Sequence, residues 1–193
     1  MLNILLLGPQ GAGKGTQGKL ISAEHGIPHI ATGDILRGAM AEGTELGRHV
    51  KPIYDSGGLV PDDVMIALIR ERLSSDDAGN GFVLDGFPRT AVQAEALDGM
   101  LDAIGRPLSV VLEFQLPEEV SVERLTLRAD EEGRADDTPE SIGRRLRLYH
   151  EQTEPLIEHY RARGTLVGIP ADSPVDEVFA EIQRALEQVA VRR

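Results

Sequence analysis

Gly8-Pro9-Gln10-Gly11-Ala12-Gly13-Lys14-Gly15-Thr16 follows the apolar run Ile4-Leu5-Leu6-Leu7 and precedes a stretch with helix signals. Glycines let backbone N–H groups turn inward around an anion, where a Cβ would obstruct them. The helix that follows aims its positive dipole end at the same spot. Lys14 adds a point charge for the β- and γ-phosphates, so the segment names a nucleoside triphosphate as ligand class. The spacing fits G-x-x-x-x-G-K, although Gly15 stands where the general pattern has Ser or Thr, and Thr16 follows it. A glycine-rich turn with an accidental lysine is the competing account. The strand before, the helix after and the lysine in register argue against it.

The chain has 193 residues, which suits one domain able to bury a sizeable core. Aromatic residues make up 4 % and Trp is absent, which argues against stacking platforms for single-stranded nucleic acid. The net charge of −12 disfavours broad contact with nucleic acid or an anionic membrane. No run of 18 apolar residues and no cleavable leader pattern is present, and there is no cysteine, so disulfides and thiolate metal sites are excluded. The expectation is a cytoplasmic enzyme acting on small molecules.

Short apolar runs alternate with helix-like segments. Strands are expected at Leu2–Leu7, 27–31, Gly81–Asp85, 108–114 and 165–169. Runs such as Val110-Val111-Leu112 suit strands covered by helices on both faces. Helices are expected from 16 to 24, from Pro61-Asp62-Asp63, from Pro117-Glu118-Glu119, as one amphipathic stretch over 138–163, and over 174–190. The alternation predicts an α/β fold: a parallel, doubly wound sheet with ligands at the carboxyl ends of its strands. Residues 32–73 and 128–137 interrupt the alternation as insertions.

Asp85-Gly86-Phe87-Pro88-Arg89 follows a strand beside the phosphate loop. A carboxylate there suits a Mg²⁺-organising role, with a plain turn former as the alternative. Arg89 carries a planar fork suited to phosphate. Thr32-Gly33-Asp34 with Arg37 would alone be a helix cap and a surface arginine, but beside Arg89 it reads as part of an anion pocket. Arg124, Arg128, Arg134, Arg144, Arg145 and Arg147 crowd one region of an acidic chain. Arg144 and Arg147 are read as pairing with nearby acids. Arg128, Arg134 and Arg145 are read as cations for a moving phosphoryl group.

These residues together resemble the adenylate kinase family of nucleoside monophosphate kinases, over nearly the whole chain. The resemblance rests on Gly8…Lys14-Gly15-Thr16-Gln17, Ala31-Thr32-Gly33-Asp34-Ile35-Leu36-Arg37, Gly57-Gly58-Leu59-Val60-Pro61, Leu84-Asp85-Gly86-Phe87-Pro88-Arg89-Thr90 with Gln93, and Arg134-Ala135-Asp136-Asp137. It implies a P-loop fold with a five-stranded parallel sheet. The core would comprise 1–30, 61–127 and 139–193, the monophosphate-binding part 31–60 and the lid 128–138. Gly11, Ala12, Gly13, Lys14, Gly15 and Thr16 would hold ATP phosphates, with Arg128 and Ser173 on the ATP side. Thr32, Arg37, Gly58, Leu59, Val60, Gly86, Phe87, Pro88, Arg89 and Gln93 would bind AMP. Gln93 and the backbone at 58–60 would read the adenine, while Arg134 and Arg145 would span both phosphate groups. Lys14, Arg89, Arg124, Arg128, Arg134 and Arg145 would be the catalytic set. Asp85, through water, and Thr16 would serve Mg²⁺.

The implied reaction is ATP + AMP ⇌ 2 ADP, by a monomer. Proline at position 9 rather than 10 departs from the family habit. Only five residues separate Arg128 from Arg134, and Cys is absent, which matches the short-lid type without zinc. UMP or CMP as acceptor, GTP as donor, and a slowly hydrolysing switch are the rival readings.

Overall fold

The computed structural model describes residues 1–132 and 138–191. Its centre is a five-stranded parallel sheet, built from β1 (Leu2–Leu7), β2 (His29–Ala31), β3 (Gly81–Asp85), β4 (Val110–Gln115) and β5 (Leu166–Pro170) in the order β2-β3-β1-β4-β5. The chain builds one side of β1 first and then the other, so the carboxyl ends of β1 and β3 open onto a crevice.

Side chains alternate across a strand, and both faces of this sheet are apolar. Leu5, Leu7, Phe82, Leu84 and Val111 face one layer of the core. Ile4, Leu6, Val83, Val110, Leu112 and Phe114 face the other. The first layer is closed by α4 (Asp62–Leu73), α5 (Ala91–Ala103) and α8 (Leu156–Ala162), through Ile69, Leu97 and Tyr160. The second is closed by α1 (Lys14–His25) and α9 (Val175–Val191), through Ile21, Ile182 and Leu186. Among the described residues, no helix is long and apolar enough to cross a membrane.

The expected strands all form, β1 and β3 at their expected bounds and the other three with shifted ends. β2 begins at His29 because Pro28 has no N–H to give the ladder; its carbonyl accepts from Val83 N at 2.9 Å. The insertion after β2 folds as α2 (Thr32–Ala41) and α3 (Glu45–Asp55) before α4. The stretch expected as one helix over 138–163 is broken. Thr138 caps α7 (Pro139–Leu148), accepting from Ser141 N at 3.2 Å. A widened π-type turn, Tyr149–Thr153, follows, and α8 begins only after Pro155, which cannot donate to the preceding turn. Helix α6 (Glu118–Glu132) runs through Arg128, so the first residues of the expected lid continue a core helix.

Gly8 joins β1 to the phosphate loop at φ 145°. A Cβ built there would lie 2.7 Å from the Phe114 carbonyl oxygen on β4. Gly8→Ala should therefore combine backbone strain with a clash and cost about 2–4 kcal/mol of stability. A urea midpoint unchanged from wild type would contradict this close approach.

Candidate active site

The phosphate loop is shaped by Gly11 and Gly13, both at φ 80°. Helix α1 starts directly after Gly13, two residues earlier than expected, so Lys14 sits at its first position. The loop rests on α6. Ser121 Oγ donates to the Gln10 carbonyl at 2.5 Å, and a Cβ on Gly11 would come within 2.9 Å of the Ser121 carbonyl oxygen.

Lys14 Nζ donates to the Gly8 and Pro9 carbonyls at 2.7 and 2.6 Å. Its pKa is lowered to about 8, first by burial. Asp85 opposes that shift, while Arg89 and Arg128 add to it.

Asp85 stands at the carboxyl end of β3. Burial pushes its pKa up, yet the outcome is a lowered value, because the His29 ring, Lys14 and Arg89 favour the carboxylate more strongly. The His29 ring lies 3.7 Å from Asp85 Oδ2, longer than an ordinary hydrogen bond. The ring is packed over Gly18 of α1, where a Cβ would approach His29 Nε2 to 2.5 Å.

On the other side of Asp85, Thr32 Oγ1 donates to the Asp85 carbonyl at 3.2 Å rather than capping its helix. Arg37 donates to Asp34 and to the Tyr54 hydroxyl. Arg89 Nε donates to the Gly86 carbonyl at 2.9 Å, and burial, reinforced by the charge of Arg145, lowers the Arg89 pKa. Thr153 Oγ1 donates to the Arg89 carbonyl at 2.9 Å, so the widened turn holds the Arg89 backbone. Arg124 donates to the Ala171 carbonyl at 2.8 Å and to the Asp172 carbonyl at 3.3 Å, with the Gly11 carbonyl at 3.5 Å. It thereby fastens the loop that carries Ser173 to the phosphate loop.

Most of these groups line one cleft of about 410 Å³. Gly11, Ala12, Gly13, Lys14, Gly15, Thr16, Arg37, Asp85, Gly86, Pro88, Arg89, Arg124, Arg128 and Arg145 all face it. Thr32, Gly58, Leu59, Val60, Phe87, Gln93 and Ser173 do not line it; Phe87 and Val60 are core residues. Arg134 lies outside the described residues. Lys19, Tyr54, Tyr149 and Thr153 line the cleft without having been singled out in the sequence. His29 and Gly18 were missed as well, and their one signal was a glycine in mid-helix.

Mg²⁺ is a hard cation that takes oxygen ligands and keeps several waters when it travels with phosphates. An ionised Asp85 carboxylate and the Thr16 hydroxyl on one cleft wall fit that demand. Among the described residues, no cluster of three or more His, Cys, Asp or Glu could hold a metal.

The unfolded chain holds the Lys14 proton more tightly than the folded one. That difference penalises the fold below about pH 8, and the penalty is relieved as pH rises toward the free value of 10.5. A bound polyanion should restore the proton. Tripolyphosphate binding near pH 9 should take up most of one proton, and affinity should fall as pH rises through about 8. Calorimetry in two buffers of different ionisation enthalpy reads the uptake. Equal uptake by Lys14→Met would remove Lys14 as its source.

A family model described as adenylate kinase matches residues 6–165. The adenylate kinase of Stenotrophomonas maltophilia is 45 % identical over 186 residues, covering 96 % of this chain and 100 % of that protein. The adenylate kinase of a Cyanothece species is 48 % identical over 189 residues, covering 98 % and 97 %. That of Caulobacter vibrioides is 47 % identical over 189 residues, covering 98 % and 99 %. The resemblance read from the motifs and the fold they imply agree with these matches, and the chain belongs to the adenylate kinase family.

Proposed function

We propose that this protein catalyses the reversible transfer of the terminal phosphoryl group of ATP to AMP, giving two ADP. The observation that carries the reading is the pairing of two cationic arms across one cleft. Lys14 and the phosphate loop form the donor arm, and Arg37 with Arg89 forms the acceptor arm. Asp85 lines the same cleft. A simple hydrolase or switch has no use for the second arm.

The acceptor is a phosphate oxygen, already anionic at neutral pH, so no general base is needed. Catalysis is positioning and charge stabilisation. Lys14 and the loop N–H groups hold the β- and γ-phosphates, and Gly11, Ala12, Gly13, Gly15 and Thr16 shape that cradle. Arg37 and Arg89 hold the AMP phosphate. Arg128 on α6 and Arg145 on α7, together with Arg134, stabilise the charge of the transferring group. Arg124 keeps the 171–173 loop, and with it Ser173, against the ATP side. Gly86 and Pro88 line the AMP side, with Thr32 and Phe87 buried beside them, while Gly58, Leu59, Val60 and Gln93 read the base. Asp85 and Thr16 would hold Mg²⁺, which when bound neutralises charge on the donor phosphates.

Residues 31–60 serve as the monophosphate-binding part and 128–138 as the lid, on a core of 1–30, 61–127 and 139–193. The lid excludes water, the competing acceptor. The protein works as a cytoplasmic monomer on ATP, AMP and ADP, without nucleic acid or membrane partners. The acidic net charge and absent cysteines support that setting.

The test is phosphoryl transfer from Mg-ATP to AMP, UMP, CMP and GMP in parallel, with a control lacking acceptor. AMP-dependent ADP formation should exceed the others. Equal ADP release without acceptor would overturn the reading in favour of hydrolysis. Arg134→Ala should lower kcat by roughly 10²–10³. A kcat within threefold of wild type would remove Arg134 from the catalytic set.

A further inference from the structure

Gln93 is 2 % exposed, and both ends of its carboxamide are engaged by protein. Its Oε1 accepts from the Arg89 backbone N–H at 2.8 Å. Its Nε2 donates to Asp62 Oδ1 at 2.8 Å. A backbone N–H only donates, and an ionised carboxylate oxygen only accepts. The two neighbours therefore fix which end of the amide is which. Rotating it by half a turn would set donor against donor at Arg89 and acceptor against acceptor at Asp62.

Asp62 does more than accept one bond. The same Oδ1 accepts from Thr90 Oγ1 at 2.9 Å, while Thr90 Oγ1 accepts from the Gln93 backbone N–H at 3.2 Å. Asp62 thus orients the hydroxyl that caps α5 as well as the side chain three residues further on. It is the first residue of α4, two positions after Val60. Its bond to Gln93 ties the start of α5 to the end of the 58–60 segment, the two parts of the chain assigned to the acceptor base.

Each end of a glutamine amide has two bonding positions, one of which is filled here. One N–H and one oxygen lone pair remain, in an order the protein has set. Adenine offers an acceptor at N1 and a donor at its 6-amino group. Hypoxanthine, with oxygen at position 6, offers a donor at N1 and an acceptor at O6. A fixed amide can satisfy one of these edges and mispairs with the other.

We propose that Asp62 is a specificity-determining positioning residue, which locks the Gln93 carboxamide so that the acceptor site takes 6-aminopurine and rejects 6-oxopurine monophosphates. This rests on the assignment of Gln93 to the acceptor base. Asp62 acts through Gln93 and touches no substrate itself.

The experiment compares kcat/KM for AMP and IMP in wild type, Asp62→Ala, Asp62→Asn, Thr90→Val and Gln93→Leu, with thermal midpoints measured alongside. Asp62→Ala should lower the AMP:IMP ratio about tenfold, mostly through a raised KM for AMP, as expected for loss of one fixing hydrogen bond. Asp62→Asn should recover the ratio to within about threefold, because one amide oxygen can accept both bonds. Thr90→Val should lower the midpoint through the lost cap and leave the ratio near wild type. If Asp62→Ala does not fold, Asp62→Ser, too short to reach Gln93, takes its place. A lowered midpoint with an unchanged ratio in Asp62→Ala, or no recovery in Asp62→Asn, would overturn the proposal. Gln93→Leu separates the two readings. If it leaves KM for AMP and the ratio unchanged, the base assignment itself fails. If it moves them while Asp62→Ala does not, only the role of Asp62 fails.

Discussion

Lys14 carries an ammonium group to the floor of the cleft, partly buried between the end of β1 and the first turn of α1. Removing that charge from water lowers its pKa to about 8, which corresponds to roughly 3 kcal/mol against the charged form in the free protein. Two loop carbonyls and the Asp85 carboxylate offset part of the cost, and two arginines increase it. Much of the local architecture follows from this requirement. The loop must turn at glycines so that its carbonyls reach Nζ, β1 must approach β4 closely at Gly8, and an acid must stand at the end of the neighbouring strand. The site is electrostatically incomplete without an anion, and a bound polyphosphate relieves the deficit.

Helix α6 ties the remaining pieces to that centre. Its first turns carry Ser121 under the loop and Arg124 against the 171–172 backbone, and Arg128 further along reaches the cleft. Helix α7 adds Arg145, and the widened turn after it reaches back to the Arg89 backbone through Thr153. Arg144, read from sequence as pairing with nearby acids, donates to Ser56 Oγ at 3.2 Å, beside a tight approach of Gly57 to Ser141. The segment at Ser56 and Gly57 is thus braced from α7.

The chain itself was informative where chemistry depends on local order. Glycines and a lysine at fixed spacing, apolar runs ended by an acid, and prolines before acidic pairs placed the loop, the strands and most helix starts correctly. It was less informative where tertiary partners decide. The break after Leu148 depends on Pro155 and on what Thr153 can reach. Pro28 trims β2 because it can accept from β3 but has no N–H to donate back. His29 and Gly18 matter only because one helix lies against one strand end. Gln93 was visible by resemblance, but Asp62, 31 residues earlier, was legible only as part of a helix start, and nothing in the sequence tied it to Gln93.

The placement of charge has a consequence for encounter. The chain holds 20 basic and 32 acidic residues, yet Lys14, Lys19, Arg37, Arg89, Arg124, Arg128 and Arg145 all line one cleft. What remains for the rest of the surface is more anionic than the net charge of −12 suggests. Acids outnumber bases over the rest of the chain, so a drifting nucleotide meets net repulsion there and attraction at the cationic cleft. The exterior acts as a guard rail for diffusion: it shortens unproductive residence on the surface without any residue there touching the substrate.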